Sequence, residues 1–320
     1  MITGGHHMAK DWHETFKTWA KPPSETEEAK GSHAAEMIRK AIRGSEVLAV
    51  KNIDVYATGS YRNNTNTRLG GDIDVAVVLK DAAFYDLPQS GPTFQTLGIK
   101  EGGVVYGFAP FREDVGKALR AVFGVSNVTA GPKAFNIREN TNRMDADVAV
   151  FLEHRRYTGE KNRDGQWVFH RGVEMRPAYD SSRRIINWHQ QHYERGVARN
   201  DATRRRFKRM TRILKRLRDE MKEQGSSEVK AEANAAPSFL LECLAFNATD
   251  ACFNRVEGSY YEDVKAVILE CWSRTRDDAQ GASLVEVSGM KPLFGPGQPW
   301  TRTDANTFLA RAWNYVGFKT

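Results

Sequence analysis

The stretch Val55–Leu79, VYATGSYRNNTNTRLGGDIDVAVVL, constrains what this chain can become more than any other. Ile53 to Thr58 alternates and predicts a short strand that breaks at Gly59-Ser60. After a polar connection, the run from Asp72 to Leu79 predicts a second strand. Side chains alternate along a strand, so Asp72 and Asp74 share one face, while Ile73, Val75 and Val77 point the other way, into a core. Two carboxylates at the head of an apolar strand repel each other, and a cation must offset that repulsion. Hard oxygen ligands favour Mg²⁺ or Mn²⁺. The upstream Gly-Ser suits the same chemistry. A glycine at a sharp turn lets backbone N–H groups approach a phosphate, and a serine hydroxyl adds a donor.

A third carboxylate on a neighbouring strand would complete such a site. Met144–Phe151, MDADVAVF, offers Asp145 and Asp147 on one face. Asp147 leads directly into the apolar run and is the candidate; Asp145 is the reserve. An isolated D-x-D pair is most often a solvated strand end. The full combination of strand, Gly-Ser, acidic strand and later acidic strand points to a nucleotidyltransferase site.

The chain has 320 residues, enough for one large core or two modest ones. Its net charge of +7 suits an anionic partner such as nucleotides, nucleic acid or an acidic surface, and solubility alone would also account for it. Three cysteines, Cys243, Cys252 and Cys271, form no C-x-x-C and are odd in number. That argues against a zinc or disulfide framework and for a reducing, cytoplasmic setting. No apolar run has the length of a membrane span, and there is no signal peptide. Residues 1–10, opening MITGGHHMA, read as an appended leader.

Trp12, Phe16 and Trp19 lie on one face of a short helix within Asp11–Ala20. Ser24-x-x-Glu27 is a capping box that opens a helix running to about Val50, a spine behind the active-site sheet. The text is irregular from Leu79 to Gly103, and Phe111–Phe123 predicts a helix packed on the sheet. Lys133–Ile137 and Met144–Leu152 read as strands joined by the turn Arg138–Arg143, with Gln166–Phe169 another short strand. The expected catalytic lobe spans 11–180 and a helical lobe 181–320. In the latter, helices are predicted over Ser182–Gly196, from Asn200 to about Glu223, Pro237–Phe246, Tyr260–Arg274, and from Thr303 or Asp304 to Gly317. Gly225–Glu232 reads as a linker and Lys291–Thr301 as a loop.

The long helix from Asn200 carries an apolar stripe of Phe207, Met210, Ile213, Leu214 and Leu217, with nine arginines and lysines on its other faces. Most of these read equally as a solvated face. Lys215 is the favoured phosphate ligand, because it lies shortly before the helix opened by Ser238, which can offer a hydroxyl and a helix N-terminus. Phe239 could stack on a base or simply fill the core. His189 and His192 sit one turn apart with no third ligand nearby, which argues for a surface or hydrogen-bonded role over zinc.

With these residues in view, the sequence resembles the cGAS/DncV-like nucleotidyltransferases, the bacterial oligonucleotide cyclases of CBASS anti-phage signalling. GSYRNNT followed by GDIDVAVVL looks like their G-S…D-x-D element, and RMDADVAVFLEHRRY like their third-aspartate strand. The segment from Ala198 to Met221, followed by APSFLLECLAFN, looks like their triphosphate-binding helical region, and the last 26 or so residues are similar to their C-terminal end. Asn63-Asn64 and Gly71 depart from the usual pattern, and no Cys/His cluster matches the zinc insertion of the animal sensor.

The resemblance implies an α+β, polymerase-β-like fold: a mixed-sheet catalytic lobe and a helical C-terminal lobe. It implies that Asp72, Asp74 and Asp147 hold two Mg²⁺ (or Mn²⁺) ions. Gly59 and Ser60 would hold the triphosphate from one side, Lys215 and Ser238 from the other, and Phe239 would stack on a base. The expected reaction is template-independent synthesis of a cyclic di- or trinucleotide second messenger, with release of pyrophosphate. ATP and/or GTP are the expected substrates. A downstream effector would read the product, and regulatory proteins are possible partners; membrane and DNA template are not expected. The alternatives are a linear 2′-5′ oligoadenylate-type synthase, a transferase acting on RNA or a small molecule, and a non-catalytic RNA-binding module built on the arginine-rich helix.

Overall fold

The computed structural model describes residues 10–67, 72–99, 106–139 and 144–319. The first half runs α1 (Trp12–Trp19), α2 (Glu25–Arg43), α3 (Glu46–Ala49), β1 (Ile53–Ala57), α4 (Gly59–Arg62), β2 (Ile73–Asp86), α5 (Phe108–Phe123), β3 (Val128–Ala130), β4 (Ala134–Ile137), β5 (Ala146–Lys161), β6 (Trp167–Met175) and β7 (Ile185–Asn187). Helices follow: α6 (His189–Ala202), α7 (Arg206–Gln224), α8 (Ser227–Ala235), α9 (Ser238–Asn247), α10 (Tyr261–Arg276), α11 (Asp278–Ala282) and α12 (Arg302–Val316). The fold is α+β, as expected.

The chain divides into two compact units. The described residues within 24–63 and 72–190 make one; 10–23, 64–67 and 191–319 make the other. In the first, the sheet order is β1-β2-β5-β4-β3, with β6 on the far half of β5 and β7 beside β6. β2 and β5 are parallel and the remaining pairs antiparallel. The expected alternation holds. Ile73, Val75, Val77 and Leu79 are fully buried against Ile38 of α2 and Phe111, Val115 and Leu119 of α5. The opposite face buries Ala76, Val78 and Phe151 in a smaller cluster and leaves Asp74 half-buried. Ser24 and Glu27 form the predicted capping box of α2.

Several boundaries differ from the sequence expectation. The spine helix stops at Gly44 rather than Val50, and a separate turn, α3, follows. β2 continues past Leu79 to Asp86 because the longer β5 supplies a ladder, with a register shift between Leu79 and Ala83. β6 likewise extends to Met175. The predicted helix at Ser182 begins only at His189, since Ile185 and Ile186 first pair with Met175 and Glu174.

The helix predicted from Asn200 is broken at Arg204 and Arg205, whose φ values are +49° and +66°. Thr203 ends one helix and begins the next: its Oγ1 donates to the Arg199 carbonyl and accepts from Phe207 N at 3.0 Å. The expected linker after Gly225 is helix α8, which buries Ala233. The short N-terminal helix belongs to the helical unit, not to the catalytic lobe, because Phe16 and Ala20 sit in the core of Phe207, Met210, Ile213, Leu214, Leu217 and Met221. Thr301 and Asp304 cap α12 two residues earlier than expected, and Gly317 ends it. The leader and most of the Arg138–Arg143 turn lie outside the described residues. Among those described, no helix is long and apolar enough to cross a membrane.

Candidate active site

In the sheet unit, Asp74 on β2 is the register partner of Asp147 on β5. Partners on parallel strands present their side chains on one face, so the two carboxylates stand side by side. Asn136 of β4, the next residue across, donates from Nδ2 to Asp147 Oδ1 at 3.1 Å. Asp72 lies one residue before β2 and is exposed. Partial burial, then the charges of Asp147, Asp145 and Glu139, push its carboxyl above the usual range. Asp145 is already engaged: its Oδ1 accepts from Glu139 N at 2.5 Å. Register sets Asp147, rather than Asp145, beside Asp74.

Among the described residues, no three His, Cys, Asp or Glu side chains close round one point as a ligand set. Mutual repulsion opposes such closure for carboxylates with no cation between them. The donors are oxygens throughout, and the accumulated charge that raises Asp72 is what a hard divalent cation would offset, so the residues fit Mg²⁺ or Mn²⁺.

The turn after β1 is built around the same carboxylate. Thr58 N donates to the Asp74 carbonyl at 2.8 Å. Gly59 has φ +60°, and a Cβ there would lie 2.0 Å from Asp74 Oδ2. Only glycine permits this approach. Ser60 follows in the single turn α4, half-buried. Tyr61, which sequence reasoning passed over, anchors that turn to the spine: its hydroxyl donates to the Glu28 carbonyl and its ring fills the space over Gly31.

In the helical unit, Lys215 is buried and bonded to its own unit. It is 4% exposed, and its Nζ donates to Thr65 O at 3.0 Å and Oγ1 at 3.3 Å, with Glu242 Oε2 at 3.5 Å. Burial pushes this ammonium down, while Glu242 supports its charge. Glu242 is itself buried; desolvation opposes its ionisation, but Lys215, His192 and Thr65 together hold its pKa at about 2. His192 Nε2 lies 2.9 Å from Glu242 Oε1. Sequence reasoning missed Glu242 and Thr65, and the only signal was an acid inside the apolar run SFLLECLAF.

Ser238 opens α9, and its Oγ accepts from Arg218 Nη1 at 2.8 Å, which leaves the hydroxyl hydrogen free to donate. Phe239 is half-buried, with its ring 5.5 Å from His192 and 6.0 Å from Trp300. Lys208, two turns before Lys215 on α7, is half-buried. Its ammonium is pushed down by burial and supported by Glu242. The two histidines separate, as expected for hydrogen-bonded roles: His189 meets the Tyr56 hydroxyl at 3.2 Å, His192 meets Glu242.

Three of the five arginines of α7 are internal struts. Arg206 donates to the Ser259 carbonyl at 2.7 Å, and Arg212 to the Ala20 and Asn64 carbonyls at 2.9 and 2.6 Å. Arg206, Arg212 and Arg218 are at most 9% exposed. They do not form the solvated face that an RNA-binding helix requires.

Comparison with known proteins follows this geometry. The family model of the cGAS/DncV-like nucleotidyltransferase C-terminal helical domain matches residues 194–317, and that of the nucleotidyltransferase domain matches 38–109. The chain is 36% identical over 312 residues to a cyclic dipyrimidine nucleotide synthase, CdnE, of Legionella pneumophila, covering 97% of this chain and 99% of that one. It is 33% identical to a synthase of the same name from Cecembia lonarensis, covering 97% and 100%. Among solved structures it resembles the Rhodothermus marinus CdnE c-UMP-AMP synthase with Apcpp and Upnpp, with a TM-score of 0.79, 28% identity and coverage of 97% and 99%.

Proposed function

Because the chain belongs to the cGAS/DncV-like nucleotidyltransferases, we propose that it joins two nucleoside triphosphates into a cyclic dinucleotide and releases pyrophosphate at each step. The observation that carries this reading is the pairing of Asp74 with Asp147 on parallel strands beside the Gly59-Ser60 turn.

Asp72, Asp74 and Asp147 are the residues that would hold two Mg²⁺ or Mn²⁺ ions. Such ions lower the pKa of an acceptor ribose hydroxyl and offset charge on departing pyrophosphate. The protein's own groups do the positioning. Asn136 fixes the rotamer of Asp147, and Gly59 opens the turn so that its backbone and the Ser60 hydroxyl can donate to phosphate. In the helical unit, Ser238, oriented by Arg218, is the proposed nucleotide donor and Phe239 the proposed base platform. With Lys215 committed to Thr65 and Glu242, it acts by holding that segment, and Lys208 is the proposed phosphate cation.

The acceptor oxygen bonds to the α-phosphorus as the α–β anhydride breaks. Repetition with the intermediate reversed closes the ring. Purine triphosphates were the expectation from the resemblance. The dipyrimidine products named for the Legionella and Cecembia relatives shift the proposal toward UTP or CTP as at least one substrate. Reading of the product by an effector, an anti-phage role and a cytoplasmic site remain part of the proposal, the last in keeping with three buried free thiols.

The test is incubation with each labelled nucleoside triphosphate and with all four, with Mg²⁺ and separately with Mn²⁺, followed by phosphatase and mass identification. A resistant cyclic species is expected, absent from a folded Asp72→Asn or Asp74→Asn protein. Phosphatase-sensitive oligomers alone would establish a linear synthase. Synthesis that persists in both folded variants would overturn the site.

A further inference from the structure

The sheet unit has a concave surface on the face away from the aspartates. A cavity of about 450 Å³ lies between α5, the β3–β4 hairpin and the segment after β6, within the size range of small-molecule sites. Its floor is Phe135 of β4, 2% exposed. The ring packs directly on α5 at Gly116, where a Cβ would fall 2.8 Å from its Cζ. Arg112 and Arg120 straddle that glycine, one turn to either side, with guanidinium carbons 4.7 and 5.8 Å from the Phe135 centroid.

Two like charges thus converge on one ring. Arg112 spends one donor on the Gly131 carbonyl at 2.6 Å and keeps the rest of its five. Among the described residues Arg120 has no side-chain hydrogen-bond acceptor and no carboxylate partner. The carboxylate on the wall, Glu113, is tied to Lys117 at 2.8 Å. Partial burial, then Arg120, pushes the Arg112 pKa down. The rest of the lining includes Phe108, Ala130 and Pro177, an apolar wall. The Pro177 side is held to the hairpin by the Ala178 N to Pro132 O hydrogen bond of 2.8 Å.

We propose that this cavity binds a phosphate monoester carried on a planar ring, with the phosphate between Arg112 and Arg120 and the ring against Phe108 and Pro177. Two guanidinium forks match the charge and the several oxygens of a phosphate dianion, and the apolar wall adds a preference for a ring over the free anion. Such a ligand could be a nucleoside monophosphate or a non-nucleotide aromatic phosphate. The chemistry recognised is the same.

The test uses phenyl phosphate in calorimetry on the full chain with EDTA present, so that neither metal nor triphosphate enters and the outcome is independent of the catalytic proposal. Wild type is expected to bind, and inorganic phosphate to bind more weakly. Arg120→Gln should weaken phenyl phosphate about tenfold or more, as should Ala130→Trp, which fills the cavity without touching a cation; Asp74→Asn should bind as wild type. Competition with UMP and AMP assigns the source. Displacement points to nucleotides and persistence to other aromatic phosphates, and either supports the site. No binding by wild type, or wild-type affinity in a folded Arg120→Gln and Ala130→Trp, overturns it. Binding lost in Asp74→Asn but kept in Arg120→Gln would move the ligand to the aspartates and also overturn it.

Discussion

Gly59 and Asp74 show how little room the candidate site leaves for change. Gly59→Ala would place a methyl group against the Asp74 carboxylate at a backbone φ of +60°. The expected result is a folded protein, destabilised by about 1–3 kcal/mol, with nucleotide transfer largely lost. Thermal melts beside the product assay check this; full activity would show that the turn and the carboxylate do not cooperate. Glu242 makes a different prediction. Its ordinary pKa of 4.5 falls to about 2 in the folded state. A depressed folded pKa contributes stability that is present above about pH 4.5 and lost as the pH falls toward 2. The urea midpoint should therefore drop across that window, and more shallowly in Glu242→Gln. Parallel curves for the two proteins would show that Glu242 is not the linked group.

Helix α7 carries the clearest lesson at the level of elements. Its apolar stripe is legible in sequence, and Phe207, Met210, Ile213, Leu214 and Leu217 all lie fully buried. The fate of its cations is not legible, because a charge pattern does not say which backbone carbonyls will pack nearby. Arg212 reaches the Ala20 and Asn64 carbonyls only once distant segments meet the helix. Arg212→Met should cost about 1–3 kcal/mol by leaving those acceptors unpaired. The loss should show in the denaturation midpoint, and binding of single-stranded RNA should be equally weak in both proteins. Tight, strongly salt-dependent RNA binding lost in Arg212→Met would restore the alternative of a basic recognition helix. β2 and β5 teach the converse. Their alternation and aspartates were readable, but their length was not: each strand runs on because the other does, through a register shift that no residue announces.

At the scale of the whole molecule, two units carry separate hydrophobic clusters, and the chain passes between them more than once. A cut at residue 180, the expectation from the sequence, differs from the two compact units, which group α1 and the Asn64–Thr67 segment with the helices. Phe16 is fully buried in the helical core, so Phe16→Ala should cost about 3–5 kcal/mol. Hydrogen exchange should rise in α7 and α10, its neighbours in that core, before it rises in β2 and β5. Equal loosening of the sheet would show that the two units unfold as one.

The sequence alone determined the nucleotidyltransferase class and the class of fold. Alternation placed Asp72 and Asp74 opposite a buried face, a glycine and a serine marked the turn, and a second acidic strand supplied Asp147, all local patterns with a period of two. It also marked α1, α2, α5, α9 and α12 through stripes and caps. Only the tertiary structure decided that Asp147 pairs in register with Asp74, that Lys215 bonds Thr65 and Glu242, and that Arg218 orients Ser238. These are contacts between residues 20 to 150 positions apart in the chain, or depend on the register between two strands. Local propensity carries no information about either, because the partner that satisfies a buried charge is set by packing.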